Sequence, residues 1–541
     1  MAVSTPILGI AVLIYLLVIF YLGWLGYRQT KSTEDFMVAG RKVNPLVLAV
    51  SYGATFISTS AIVGFGGYAG AFGMGVLWLV FMNIFVGIFL AFVLFGKRTR
   101  RLGVNLGAVT FPELIGRRFQ SRFIQGFSGI LITVFMPLYA GSVLIGGARF
   151  METALNIDYN SAVLILAVIV AAYVITGGLI AVMYTDALQG ALMFLGMALL
   201  LTLTYVKLGG VVEAHQALTN MAHLVPENLA AVGHTGWTSM PVFGSPTWWT
   251  LVSTIILGVG VGVLAQPQLA VRFMTVKNTR SLNRAVLSGG PFILMMAGVA
   301  YVVGALSNVH FLATRGVISL DAAGGNIDKI IPEYISSAMP DYFVIFFLLT
   351  LLAAAMSTLS SQFHTMGTAI GHDLYREFLM KGKIGKTVTV TKLGIAVTIV
   401  ISVVLAYILP FSVIARATAI FFGLCAAAFL PMYTGALFWK RMTREGAIAS
   451  LLVGTFTSLF WLTFVHAKEA SALGISKMLF GVDTILTGTW TVVDPILIAT
   501  PLAFLTAIIV SLMTEPDSQE HIDLCFKGSV TSDVASNSLE L

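Results

Sequence analysis

Apolar runs recur along almost the whole chain, and the shorter stretches between them hold nearly all of its charge. A helix needs about 20 apolar residues to cross the hydrocarbon layer of a bilayer. Runs that qualify fall near 6–27, 46–71, 75–96, 123–148, 160–180, 186–207, 247–268, 285–306, 341–370, 389–409, 413–437, 445–466 and 494–513, which are spans 1 to 13 in order. In lipid every backbone N–H and C=O must be satisfied within the fold, so runs of this length predict helices. The pattern therefore predicts an all-α polytopic membrane protein of about 13 transmembrane helices. One transmembrane domain is expected over 1–513. The tail, 514–541, is rich in Ser and Asp; it is expected to be cytoplasmic and disordered.

Charge gives the orientation. Connections after odd-numbered spans hold Arg28, Lys31, Arg41 and Lys42, then the cluster from Lys97 to Arg122, then Arg272 to Arg284, Arg376 to Lys392, and Lys440 to Arg444. Those after even-numbered spans hold only Arg149, Lys207, Arg315, Lys329, Lys468 and Lys477. The positive-inside rule puts the odd connections in the cytoplasm, the N-terminus outside and the tail inside. The two long even connections, 208–246 and 307–340, are expected on the outer surface. Within the third, Thr110-Phe111-Pro112-Glu113 reads as the start of a cytoplasmic interfacial helix.

Composition sharpens this. Hydrophobic residues make up 57% of the 541 and charged ones 10%, with a mean hydropathy of +0.92. A soluble protein carries about 25% charged residues, so a globular enzyme is excluded. The net charge of +7 belongs to the loop asymmetry and does not indicate nucleic-acid binding. Membrane lipid is the expected surround, in a plasma membrane of the prokaryotic cytoplasmic (inner) type. Cys425 and Cys525 supply neither a disulfide framework nor a metal spacing. The first run lacks a basic flank ahead of it and is expected to be a span rather than a cleavable leader.

Spans 2 and 7 are interrupted. Span 2 runs through Gly53 and Ser58-Thr59-Ser60 to Gly64-Phe-Gly-Gly67, and span 7 holds Gly258-x-Gly260-x-Gly262 and then Gln266-Pro267-Gln268. Gly and Pro weaken a helix ladder, so both spans are expected to unwind in mid-membrane, where unwound backbone must line protein or a cavity. Glycine-rich packing is the plainer explanation of either one alone. Five spans separate them, which suggests two five-helix halves, 2–6 (about 46–207) and 7–11 (about 247–437), related by inversion. Span 9 carries Ser357, Thr358, Ser360 and Ser361, at positions that share one side of a helix. Hydroxyls pack helices in membranes, but four behind three alanines also suit a cation that prefers oxygen ligands. Asp186, with Gln189 one turn inward, is an ionisable residue in a span; it either faces water or marks a functional site.

These residues resemble the sodium/solute symporter family, which includes sodium-coupled carriers of proline, pantothenate, sugars, sialic acid and monocarboxylates. The matching motifs are Gly64-Phe-Gly-Gly, Gly146-Gly-Ala-Arg149, Gly177-Gly-Leu-x-Ala-Val-x-Tyr-Thr-Asp186-x-x-Gln189, Gln266-Pro-Gln-x-x-x-Arg272-Phe-Met and Ala354-Ala-Met-Ser-Thr-Leu-Ser-Ser361, and the resemblance covers about 6–513. It implies a leucine-transporter-type inverted repeat, with a sodium site between spans 2 and 9. The carbonyls of Ala54, Ile57 and Ala354 and the hydroxyls of Ser357 and Thr358 would form that site. A second sodium site, present in some members, would use Asp186, Ser360 and Ser361; a cytoplasmic gate is the rival role for Asp186. Proline carriers have an Asp where this chain has Phe56, and sugar carriers have polar residues in place of Phe56 and Ala61. In overall look the chain is nearest the pantothenate and monocarboxylate members.

The expected substrate pocket adjoins the two breaks, with Phe56, Asn83, Tyr139, Val261, Gly262 and Leu264 as candidates. Asn83 either bonds the substrate or bonds a neighbouring helix. Arg416, at the outer end of span 11, either attracts an anion or snorkels to the interface. The expected function is sodium-coupled import of a small organic anion or zwitterion, such as a monocarboxylate, a pantothenate-like vitamin or an amino acid. Na+ is then the coupling ion. A proton-coupled symporter of the same fold and a passive channel are the alternatives. An enzyme would need a nucleophile and base in a span; His364 is the nearest candidate, and packing or gating is its commoner role.

Overall fold

The computed structural model describes residues 5–382 and 386–528 and is helical throughout. Among the described residues, ten helices are long and apolar enough to cross a membrane, and two bent pairs, Pro45–Phe56 with Ser60–Phe72 and Ile414–Ala428 with Leu430–Phe438, raise the number to 12. These account for every expected span except the fifth. The fifth run forms a shorter apolar helix, Tyr159–Ala172, and the chain continues from it into span 6 with a break at Gly178 (φ 61°).

Spans differ in what they face. Span 1, Thr5–Gln29, exposes Ile7, Ile10, Leu13, Ile14, Leu17, Tyr21 and Trp24, a lipid-facing surface. Span 9, within Asp341–Leu379, is the opposite: every residue from Leu351 to Ala369 is buried. Lipid tails are as apolar as leucine, so helices associate here through close packing and hydrogen bonds, not through exclusion of water. Two glycines show how close the approach is. A Cβ on Gly304 of span 8 would lie 2.0 Å from the Gly66 carbonyl oxygen, and one on Gly262 of span 7 would lie 2.2 Å from the Phe422 carbonyl oxygen.

The breaks fall beside the glycine clusters. Span 2 bends by 53° between Phe56 and Ser60, whereas Gly64 to Gly67 stay helical and pack. In span 7, Gly258 to Gly262 also stay helical, passing from π-type to tighter turns, and the chain unwinds at Gln266 (ψ 116°), one residue before Pro267. The physical reason is that glycines such as Gly66, Gly67 and Gly262 let another backbone come near, and that neighbour then holds the helix in place.

The two long connections, 208–246 and 307–340, form a structured cover. Trp237, in 208–246, is buried and donates from Nε1 to the Gly70 carbonyl at 2.9 Å. Ile330–Ala338, in 307–340, packs on span 4 and on the second half of span 2. Phe111–Arg118 forms the helix expected from the sequence, capped by Thr110, whose Oγ1 accepts from Glu113 N at 3.1 Å. The tail departs from expectation over part of its length. Gln519–Phe526 is a helix that buries Ile522 and Cys525, and Asp517 pairs with the fully buried Arg118 at 2.8 Å. Its apolar face and that one charge give it a docking partner that low average hydrophobicity conceals. Residues 529–541 lie outside the described part.

Candidate functional site

The bend in span 2 creates acceptors. The last four carbonyls of a helix have no onward ladder partner, and the helix Pro45–Phe56 ends at Ile57 (φ −92°, ψ 100°) in the middle of the protein. Span 9 meets those carbonyls. Ser357 Oγ donates to Ala54 O at 2.9 Å and is 3.2 Å from Ala354 O. Thr358 Oγ1 lies 3.1 Å from Thr55 O and 3.4 Å from Ala54 O. Ala54, Ile57, Ala354, Ser357 and Thr358 are all 0–1% exposed. Beyond the bend, Thr59 Oγ1 donates to Val143 O at 2.7 Å and fixes the second half of span 2 to span 4. The result is a small cradle of neutral oxygens with no carboxylate among its hydroxyl and carbonyl contacts, a donor set that suits a monovalent cation held loosely enough to leave.

One turn further along span 9 lies a second constellation. Asp186 Oδ2 accepts from Ser51 Oγ at 2.8 Å, from Thr55 Oγ1 at 3.3 Å and from Arg272 Nη2 at 2.8 Å. Arg272 also reaches Thr55 Oγ1 at 2.6 Å, Ser361 Oγ at 2.7 Å, Ser51 Oγ at 3.2 Å and Gln268 O at 2.9 Å. Asp186 and Ser361 thus converge, with the Arg272 guanidinium between them. Ser360 turns back to its own helix, donating to Ser357 O at 3.0 Å. Arg272 is the residue that reading the sequence left without a role. Its signal was available: a buried membrane carboxylate calls for a cation, and Arg272 ends the Gln266-Pro267-Gln268 segment where span 7 unwinds.

The remaining candidates divide. Phe56 and Tyr139 meet around Phe422 of span 11, with ring centroids 6.4 and 5.2 Å away, and Tyr139 OH lies 3.5 Å from Ser58 Oγ at the bend. Gly87, one turn from Asn83, sits against Phe56 and Val263 of span 7, next to Gly262 and Leu264. Val261 and Leu264 are half-buried. Asn83 is buried, and its Oδ1 has no hydrogen-bond partner among the described residues. Phe421 and Phe422 were not foreseen, since in sequence they are two more aromatics in an apolar run. Three polar residues have other duties. His364 Nε2 contacts Phe36 O at 3.0 Å, packing span 9 onto the short helix Thr33–Val38. Gln189 donates to Tyr15 OH at 3.2 Å. Arg416 pairs with Glu469, which also contacts His466.

Comparison with known proteins agrees with this architecture. The profile of the Sodium:solute symporter family matches residues 36–454. The osmoregulated proline transporter OpuE of Bacillus subtilis (strain 168) is 29% identical over 467 residues, 85% of this chain and 90% of its own length. The sodium/proline symporter of Escherichia coli (strain K12) is 26% identical over 468 residues, covering 86% and 89%. A solved structure of a Na+-coupled sialic acid symporter, in a substrate-bound outward-open state, superposes with a TM-score of 0.72 at 18% identity, covering 95% of this chain and 98% of its own. The fold is the all-α, leucine-transporter-type one expected from the sequence.

Proposed function

We propose that this chain, which belongs to the Sodium:solute symporter family and is therefore a sodium-coupled transporter of small solutes and not an enzyme, imports an amino acid or small organic anion through one sodium site between spans 2 and 9. The observation that carries this is the meeting of Ser357 and Thr358 with the carbonyl end of a broken helix. Sodium entering from outside replaces those hydroxyl–carbonyl bonds with ion contacts to Ala54 O, Ile57 O, Ala354 O and the two hydroxyls. It thereby fixes the bend that Phe56 and Ser58 share with the solute pocket. Solute then closes Phe56, Tyr139 and Phe422 around itself, with Asn83 Oδ1 and the span 7 segment Val261 to Leu264 completing the wall. Each sodium moved down a 100 mV potential supplies about 2.3 kcal/mol, before its concentration gradient is counted.

Asp186 acts as a cytoplasmic gate in this reading. Arg272 is the resident cation between Asp186 and Ser361, and a second sodium enters there, with Ser360, only once the guanidinium withdraws. The named relatives transport proline, at identities too low to carry the substrate across, and Phe56 gives the pocket a different wall from theirs. Proline, small monocarboxylates and pantothenate are therefore tested together. Proteoliposomes would be scored for uptake of each with an inward sodium gradient, with potassium in its place, and with a pH gradient alone. Uptake that needs sodium supports the proposal. Uptake driven by the pH gradient without sodium makes the chain a proton symporter, and flux indifferent to every gradient makes it a channel. In this reading the N-terminus lies outside and the tail in the cytoplasm, as the loop charges favour; labelling of single cysteines from either side checks this.

A further inference from the structure

We propose that the cytoplasmic face holds a site for a divalent transition metal of the Zn2+ type, built from Glu113, His372 and Glu377. Glu113 comes from the helix Phe111–Arg118, and the other two come from the π-helical end of span 9, Ala369–Leu379. In an α-helix residues five apart diverge around the axis. In π-type turns the hydrogen bond runs from i to i+5, so His372 and Glu377 lie over one another. One donor atom from each of the three residues falls within 4.8 Å of the others.

The second observation is the histidine itself. His372 is 2% exposed, and its Nε2 is 3.2 Å from Glu113 Oε2. Among the described residues neither ring nitrogen makes a hydrogen bond, so Nε2 has this ionic contact alone and Nδ1 has no partner. A buried ring set against two carboxylates, with one nitrogen in ionic contact alone and the other unpartnered, is an arrangement that metal ligation would satisfy. The surroundings are already organised. Glu113 Oε2 accepts from Val109 N at 2.7 Å, and Arg117 Nη2 holds its Oε1 at 2.5 Å. Asp373 Oδ1 is fixed by Thr110 Oγ1 at 2.7 Å and Gln125 Nε2 at 2.8 Å, while its Oδ2 is unpartnered and adds negative charge beside the ring. Arg376 lies 3.3 Å from Glu377, which is half-buried and gives a route in from the cytoplasm. An imidazole with carboxylates selects zinc-like ions over calcium or magnesium, which take oxygen alone.

Such an ion would clamp the cytoplasmic helix to the span that carries Ser357 and Thr358, and so would slow transport. That consequence rests on the proposed function, whereas binding does not. The test uses the full chain purified without a metal-binding tag, stripped with EDTA and titrated with Zn2+ or Mg2+ by equilibrium dialysis. The expected result is one saturable Zn2+ per chain and no Mg2+. Affinity should fall at least about tenfold in His372→Ala and in Glu377→Gln. X-ray absorption of the zinc-loaded protein should report nitrogen and oxygen neighbours at about 2.0–2.2 Å. Glu377→Gln serves if His372→Ala does not fold. Zinc binding that is absent, or unchanged in these variants and so placed elsewhere, overturns the proposal.

Discussion

Replacing Thr358 or Ser357 with Ala removes one hydroxyl from the proposed sodium cradle, and the size of the effect follows from what each hydroxyl does with and without the ion. Without sodium, Thr358 Oγ1 is 3.1 Å from Thr55 O and Ser357 Oγ is 2.9 Å from Ala54 O. A neutral hydrogen bond of this kind contributes about 0.5–1.5 kcal/mol net, and one to a charged group about 1.5–3. Only the difference, about 1–1.5 kcal/mol, appears in ion affinity, because the ion-free state is weakened too. At 1.36 kcal/mol per decade that is about a 5- to 13-fold rise in the sodium midpoint. The double variant should rise by more than either single, though not additively, since both hydroxyls reach Ala54 O. Thr358→Ser keeps the oxygen and should stay near wild type. The assay is sodium titration of thermal stability in detergent, with choline as the ionic-strength control, and it needs no knowledge of the solute. Midpoints within twofold of wild type in both alanine variants would refute the site.

Other expectations are equally direct. Arg272→Gln leaves Asp186 charged at 0% exposure and should cost about 3–5 kcal/mol, whereas adding Asp186→Asn should recover much of the loss. A double-mutant cycle on heat-stability yields the coupling, and additive losses would deny the pair. Gly304→Ala puts a methyl 2.0 Å from backbone, which cannot swing aside, and should lower stability by about 1–3 kcal/mol, read as a lower melting temperature. Asp328, in the outer cover, is buried, and that burial pushes its carboxyl up to about 6 although Val413 N donates to it. A raised acid favours the folded state most below its unfolded value, and the benefit is lost as pH climbs from about 4 through 6, by at most about 3 kcal/mol. Protection factors in 327–338, corrected for the intrinsic pH dependence of amide exchange, should therefore be higher at pH 5 than at pH 7.5, with the difference removed by Asp328→Asn.

Apolar runs and a handful of motifs determined the helical class, the order of the spans and the family, because a bilayer forces backbone bonds inside each segment and leaves few folds open. The same reading singled out Ser357 and Thr358 as candidates, since hydroxyls at helical spacing in an alanine-rich span are legible as a stripe. Tertiary structure decided the rest. Span 2 unwinds at Ile57 and not among its glycines, because the glycines are held by Gly304 and the outer cover. Arg272, 86 residues from Asp186 in sequence, becomes its partner only when the end of span 7 is laid beside span 6. Phe422 joins Phe56 and Tyr139 in the same way, and the tail's helix gains its order from Arg118. Periodicity records which face of a helix is apolar or polar, but it does not record which other helix will stand opposite that face, and charge pairing and pocket shape depend on that choice.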